Sequence, residues 1–104
     1  MRIIPVSEVR VNHAGRLLVV PNLPPNEDFS FIFRAAKGVT WDAQARALVS
    51  PTPRCNSWTH LDWFRHIVIA VAEEYGARLS VSPHTKWQAS EALRREIENL
   101  EESS

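Results

Sequence analysis

The residues whose types could do chemistry gather near the middle of the chain: Cys55, the single thiol, then Trp58, His60, Asp62 and His66. Cys55 stands before an expected helix start, where the helix dipole and Arg54 would lower a thiol pKa. His60 or His66 would then serve as the base. The competing reading is a small packed residue, since no local signature of a cysteine nucleophile surrounds Cys55. Asp62 and His66 are four residues apart, which places them on one helix face as an orienting acid–base pair would be. Asp62 also has a structural task available, because Thr59 three positions earlier would form a capping box with it. No oxyanion donor or further nucleophile stands at a recognised spacing from this pair.

Four His and one Cys invite a metal, but their spacing does not supply one. Cys55 and His60 are five apart, His60 and His66 six apart on diverging faces, and no CxxC, HxxxH or HExxH pattern occurs. No metal and no cofactor is expected. His13 reads as a turn residue and His84 as a loop residue after Pro83. The four tryptophans are the more unusual feature. Trp63 and Trp41 fall on apolar faces and read as core. Trp58 and Trp87 lie in polar connections near helix entries, with Arg54 and Lys86 beside them, and are candidates for a ligand pocket or an interface. The alternative is that both cap the ends of the core. Ile69 joins them as an interface candidate, because it falls on the polar side of its helix with Asp62, His66 and Glu73.

The elements that must position these residues follow from periodicity. Val9–Asn12 alternates, Asn12–Gly15 supplies turn residues, and Arg16–Val20 follows as a more apolar strand, together predicting a hairpin. Pro21–Asp28 holds three prolines and must be a loop. Phe29–Arg34 and Val39–Asp42 read as further strands, with Lys37-Gly38 as a turn, and Ala45–Ser50 reads as another strand or the continuation of the last one. From Ser57 the period changes. Leu61, Phe64, Val68, Val71 and Tyr75 recur at three and four, with Trp63, Ile67 and Ala70 widening the stripe into a largely buried helix. Thr59 and Asp62 mark its start, and Gly76 its left-handed end. Ala77–Ser82 alternates as a strand ended by Pro83. A second helix fits about Ser90 to Glu102, with a narrow stripe of Leu93, Ile97 and Leu100. Its i,i+4 pairs Glu91–Arg95 and Arg94–Glu98 favour a solvated helix.

The expected fold is α+β: a mainly antiparallel sheet of about four to five strands packed on a long helix, with a second C-terminal helix. If the strand near Leu79 paired parallel to the one ending at Ser50, the helix between them would form a right-handed crossover. The 104 residues allow one domain, whose acidic tail Glu101–Ser104 is expected to fray. Twelve basic residues oppose twelve acidic ones, which removes the simplest reason to expect nucleic acid or an anionic membrane as partner. The longest apolar run, Ile67–Ala72, is far short of the roughly 20 residues a membrane-spanning helix needs. A lone Cys and an amino terminus without a signal-peptide core fit the cytoplasm.

Leu17-Leu18-Val19-Val20-Pro21-Asn22, Val39-Thr40-Trp41-Asp42, Leu48-Val49-Ser50-Pro51, Asp62-Trp63-Phe64 and Glu74-Tyr75-Gly76 together resemble the small uncharacterised proteins encoded by bacterial integron gene cassettes. The resemblance spans roughly residues 1 to 88, the extent of those segments. It implies a cytoplasmic, frequently self-associating protein from a group of diverse folds, and carries over no activity and no site residue. The functional expectation is therefore a small non-enzymatic binding or interaction domain. It would form a homodimer and take a small molecule at a pocket lined by Trp residues, or bind another protein. The alternatives are a small enzyme using Cys55 or the Asp62/His66 pair, and an antagonist of the antitoxin or immunity type.

Overall fold

A computed structural model describes residues 2–51 and 58–102 of the chain. Cys55, Arg54 and the end of the acidic tail lie outside the described residues. The chain opens on a ten-residue strand, β1 (Arg2–Val11), longer than the Val9–Asn12 stretch the alternation predicts. The reason is a register shift against β2 (Leu17–Pro21) between Val6 and Glu8. Ile4 and Val6 point into the core, and a strict two-residue period would next turn Glu8 inward. The irregularity at Ser7 turns Val9 inward instead.

The other edge of β1 is the departure from the expected topology. Arg2–Pro5 pairs parallel with β5 (Ala77–Ser80), and Glu8–Arg10 pairs parallel with β6 (Lys86–Gln88). The second of these strands was not predicted. Its three residues hold a single apolar side chain, Trp87, too short a run for alternation to mark it. Between the two parallel stretches the Thr85 hydroxyl donates to the Val6 carbonyl at 2.7 Å and accepts the Ser82 N–H at 2.9 Å. On the far side of β2 lie β4 (Ala47–Val49) and then β3 (Thr40–Asp42), both antiparallel, giving the order β3-β4-β2-β1-β5 with β6 on β1. The six-stranded sheet is mixed: three of its pairings are antiparallel, as expected for most of the sheet, and the two on the other edge of β1 are parallel. β5 does not pair with the strand ending at Ser50, because β2 and β1 stand between them.

One face of this sheet is covered by α1 (His60–Tyr75) and α2 (Glu91–Glu102). At sixteen residues α1 has ordinary length, shorter than the long helix expected. Both its ends are set locally. Thr59 Oγ1 accepts the Asp62 N–H while the Asp62 carboxylate accepts the Thr59 N–H, and Gly76 adopts φ 63° where a side chain would be strained. Trp63, Phe64, Ile67, Ala70 and Val71 meet Ile4, Val9, Val19, Leu48 and Leu79 of the sheet, with Leu93 and Ile97 of α2 closing the layer. Both expected ion pairs of α2 form, Arg94–Glu98 at 3.6 Å and Arg95–Glu91 at 3.4 Å. No α-helix among the described residues is long and apolar enough to cross a membrane.

The segment expected as a strand at Phe29–Arg34 is instead a loop ending in a short 3₁₀ turn, Ile32–Arg34. Phe29, Ile32, Ala36 and Val39 are fully buried, whereas Phe31 and Phe33 are more than half exposed. Burial thus follows a spacing of three and four, and the alternating aromatics misled. Two contacts fasten this loop to the sheet. Arg46, at φ 52°, donates to the carbonyls of Pro24 and Glu27 at 3.0 and 2.7 Å, and Arg2 forms a bidentate pair with Glu27. The guanidinium hydrogen bonds hold the Glu27 carboxyl below its usual range.

Candidate functional site

The chain enters α1 through Trp58, whose ring lies 4.6 Å from that of Trp63 and 5.3 Å from that of His66. Trp63 and His66 are themselves 5.8 Å apart, edge to face. Helical spacing explains the second pair, because residues three apart share a face. Trp58 joins them because the capping box turns the chain back over the first helical turn. Trp63 is buried in the core and Trp58 is 43% exposed, so one indole covers the rim of the other.

Beside these rings lies a cleft of about 200 Å³, lined by Gly15, Ser50, Pro51, Trp58, Thr59, His60 and Trp63. The β1–β2 turn, the end of β4 and the start of α1 converge there. Three of its polar side chains are already engaged within the protein. His60 Nε2 donates to the Gly15 carbonyl at 2.8 Å, which requires the proton on that nitrogen. Ser50 Oγ accepts the Leu17 N–H at 2.8 Å, and Thr59 is occupied by the capping box. The accessible chemistry that remains is aromatic and apolar. A dry cavity of roughly 150 Å³ holds one benzene ring, so this cleft has room for a molecule of one or two small rings. On the other side of Trp58 a more open groove of about 340 Å³ runs along α1 past Asp62, Arg65, His66 and Ile69.

The sequence-derived candidates separate into different neighbourhoods. Trp58, Asp62, His66 and Ile69 do come together at the groove. Trp87 does not join them: its ring packs on the core from the inner side of β6, with the Arg94 guanidinium 5.6 Å from its centre. Lys86, the preceding residue, is exposed. Cys55 and Arg54 fall outside the described residues. Asp62 and His66 share the groove, but no hydrogen bond joins them; the Asp62 carboxylate accepts the Thr59 N–H at 3.0 Å, and His66 is held edge-on to both indoles. Among the described residues no group of three His, Cys, Asp or Glu is placed to hold a metal ion. Gly15, Ser50 and Pro51 were missed as cleft residues. They are distant in sequence from Trp58, and no local pattern signals their meeting.

The structural role of Asp62 has a measurable consequence. Thr59→Ala removes the acceptor for the Asp62 N–H and is expected to cost about 1 kcal/mol, the usual value of an N-cap. In a domain of this size that lowers the melting temperature by roughly 4–8 °C, readable by calorimetry; an unchanged melt would mean that the capping box does not hold the helix start.

Comparison with known proteins agrees with the resemblance drawn from the sequence. Residues 5–85 match the family model described as Integron Cassette Protein Hfx_Cass5, a span that contains all five stretches that carried it. A solved structure of integron cassette protein Hfx_Cass5, from the mobile metagenome of North West Arm Sewage Outfall, is 30% identical. The alignment covers 95% of each chain with a TM-score of 0.47. No curated protein matches. With more than three quarters of its length under the family model, the chain belongs to the Hfx_Cass5 family of integron cassette proteins.

Proposed function

We propose that this protein is a non-enzymatic binding domain whose cleft beside Trp58 and Trp63 takes a small, mostly apolar, ring-bearing molecule. The observation that carries the reading is the pairing of two tilted indole walls, 4.6 Å apart, with polar side chains bonded within the protein. A ligand there exchanges water for ring faces while His60 Nε2, Ser50 Oγ and Thr59 Oγ1 keep their protein partners, which favours apolar binding. The engagement of Asp62 by the helix start supports binding over catalysis, since a general base needs its carboxylate free to take a proton.

The test is a ¹H–¹⁵N NMR titration with indole as probe. Shifts are expected at the Gly15 amide and at the two side-chain N–H signals of Trp58 and Trp63. Trp58→Ala is expected to weaken binding about tenfold, as loss of one aromatic wall and its buried area implies. Absence of shifts at millimolar indole, or equal affinity in W58A, would remove the cleft as a binding site.

A further inference from the structure

The exposed face of α1 carries a pattern separate from the cleft. Arg65, Ile69 and Glu73 are all exposed and stand four residues apart in one row. Ile69 is 54% exposed and is the large apolar side chain that either α-helix leaves open to solvent among the described residues. The ion pairs formed among the described residues draw on neither Arg65 nor Glu73. The row therefore reads basic, apolar, acidic, with the two charges equidistant from the centre.

We infer that α1 pairs antiparallel with α1 of a second copy of this chain, about a two-fold axis at Ile69. In such a pair, a residue a given number of positions before Ile69 faces the residue the same number of positions after it in the partner. Arg65 then faces the partner's Glu73, Glu73 faces the partner's Arg65, and the two Ile69 side chains meet at the axis. The commonest helix-packing geometry sets the i±4 rows of both helices alongside each other, the row in which these three residues lie. A parallel pair would instead set Arg65 against Arg65. The groove past Asp62, Arg65, His66 and Ile69 is opposite the partner's residues 69–76, where Ala72 and Gly76 are small enough to allow close approach. The charge order thus selects both the partner and its direction, as interhelical charges do in coiled coils.

Sedimentation velocity over about 1 to 100 µM tests this, the upper range in which interfaces of modest quality dissociate. A concentration-dependent dimer is expected. R65E and E73R should each weaken it at least about tenfold by setting like charges opposite, and the double variant R65E/E73R should restore it to within about threefold. Both positions are exposed, so circular dichroism melts of all three variants at monomeric concentration should coincide with the parent. A monomer at every concentration overturns the inference. So does a dimer that R65E leaves unmoved, or one that the double variant fails to restore. Indole shifts at Gly15 in R65E report on the cleft alone, so loss of the dimer and loss of the ligand site are read separately.

Discussion

Phe29→Ala is expected to lose about 3–5 kcal/mol of folding stability, the range for removing a fully buried phenylalanine. The expectation rests on where Phe29 sits. Its ring is completely buried, 4.4 Å from the Tyr75 ring and 5.8 Å from that of Trp41, so it joins the end of α1 to edge strand β3. The loop carrying it has little repeating backbone structure to hold it, and is seated by Phe29, Ile32, Ala36 and Val39. Tyr75 adds one bond, its hydroxyl accepting the Phe31 N–H at 3.0 Å, while burial raises the Tyr75 phenol above its ordinary pKa. Against a total stability of roughly 5–15 kcal/mol for a natural domain, this one side chain decides whether the loop is part of the folded unit. Urea denaturation of parent and variant, followed by far-UV circular dichroism, measures the loss. A change below about 1 kcal/mol, ordinary for a surface site, would mean that Phe29 does not seat the loop.

Thr85→Val should cost about 2–4 kcal/mol, because a valine of nearly the same shape leaves the buried Val6 carbonyl and the part-buried Ser82 N–H without their partner, at about 1–3 kcal/mol for a buried group and less for the other. Thr85 is 6% exposed, and its hydroxyl serves the Val6 carbonyl and the Ser82 N–H at once. The Val6 carbonyl lies between the stretches of β1 paired to β5 and to β6. The hydroxyl therefore takes the place of the missing rung. Thr85→Ser keeps both bonds and should recover most of the loss, which separates the hydroxyl's role from that of side-chain volume. Hydrogen exchange supplies the local readout: amides of β6 should exchange faster in T85V and near the parental rate in T85S. Equal stability of the two variants would show that the hydroxyl does not bridge the two parallel pairings.

Thr85 also bears on the arrangement of the tryptophans. Thr85 fixes where β6 begins and hence sets Trp87 against the core under Arg94, apart from the cleft beside Trp58. Trp58 has the opposite outcome. Its neighbourhood in sequence is similar, yet the capping turn at Thr59 folds it onto Trp63 and His66 and leaves it at the surface.

What was legible beforehand was what nearest neighbours in the chain decide. Thr59, Asp62 and Gly76 mark both ends of α1 because caps act over three or four residues, and the ion pairs of α2 follow from one helical turn. The Val11–Leu17 hairpin is local in the same sense. The exposed position of Ile69 follows from helical periodicity alone. Phe29–Arg34 shows the limit. Its aromatic alternation and its three-and-four spacing were both present in the sequence, and the second prevailed because burial against Tyr75 and Trp41 rewarded Phe29 and Ile32 and left Phe31 and Phe33 outside.

The sequence by itself therefore determined the two helices, the caps and apolar stripe of α1, the first hairpin and the family. The tertiary structure alone decided the parallel pairing of β1 with β5 and β6, the separation of Trp58 from Trp87, and the meeting of Gly15, Ser50 and His60 in one cleft. The physical reason is separation along the chain. Val9 pairs with Trp87, and His60 meets Gly15, through contacts whose energy is gained only after long loops have closed, so neither partner carries a mark of the other in its own neighbourhood.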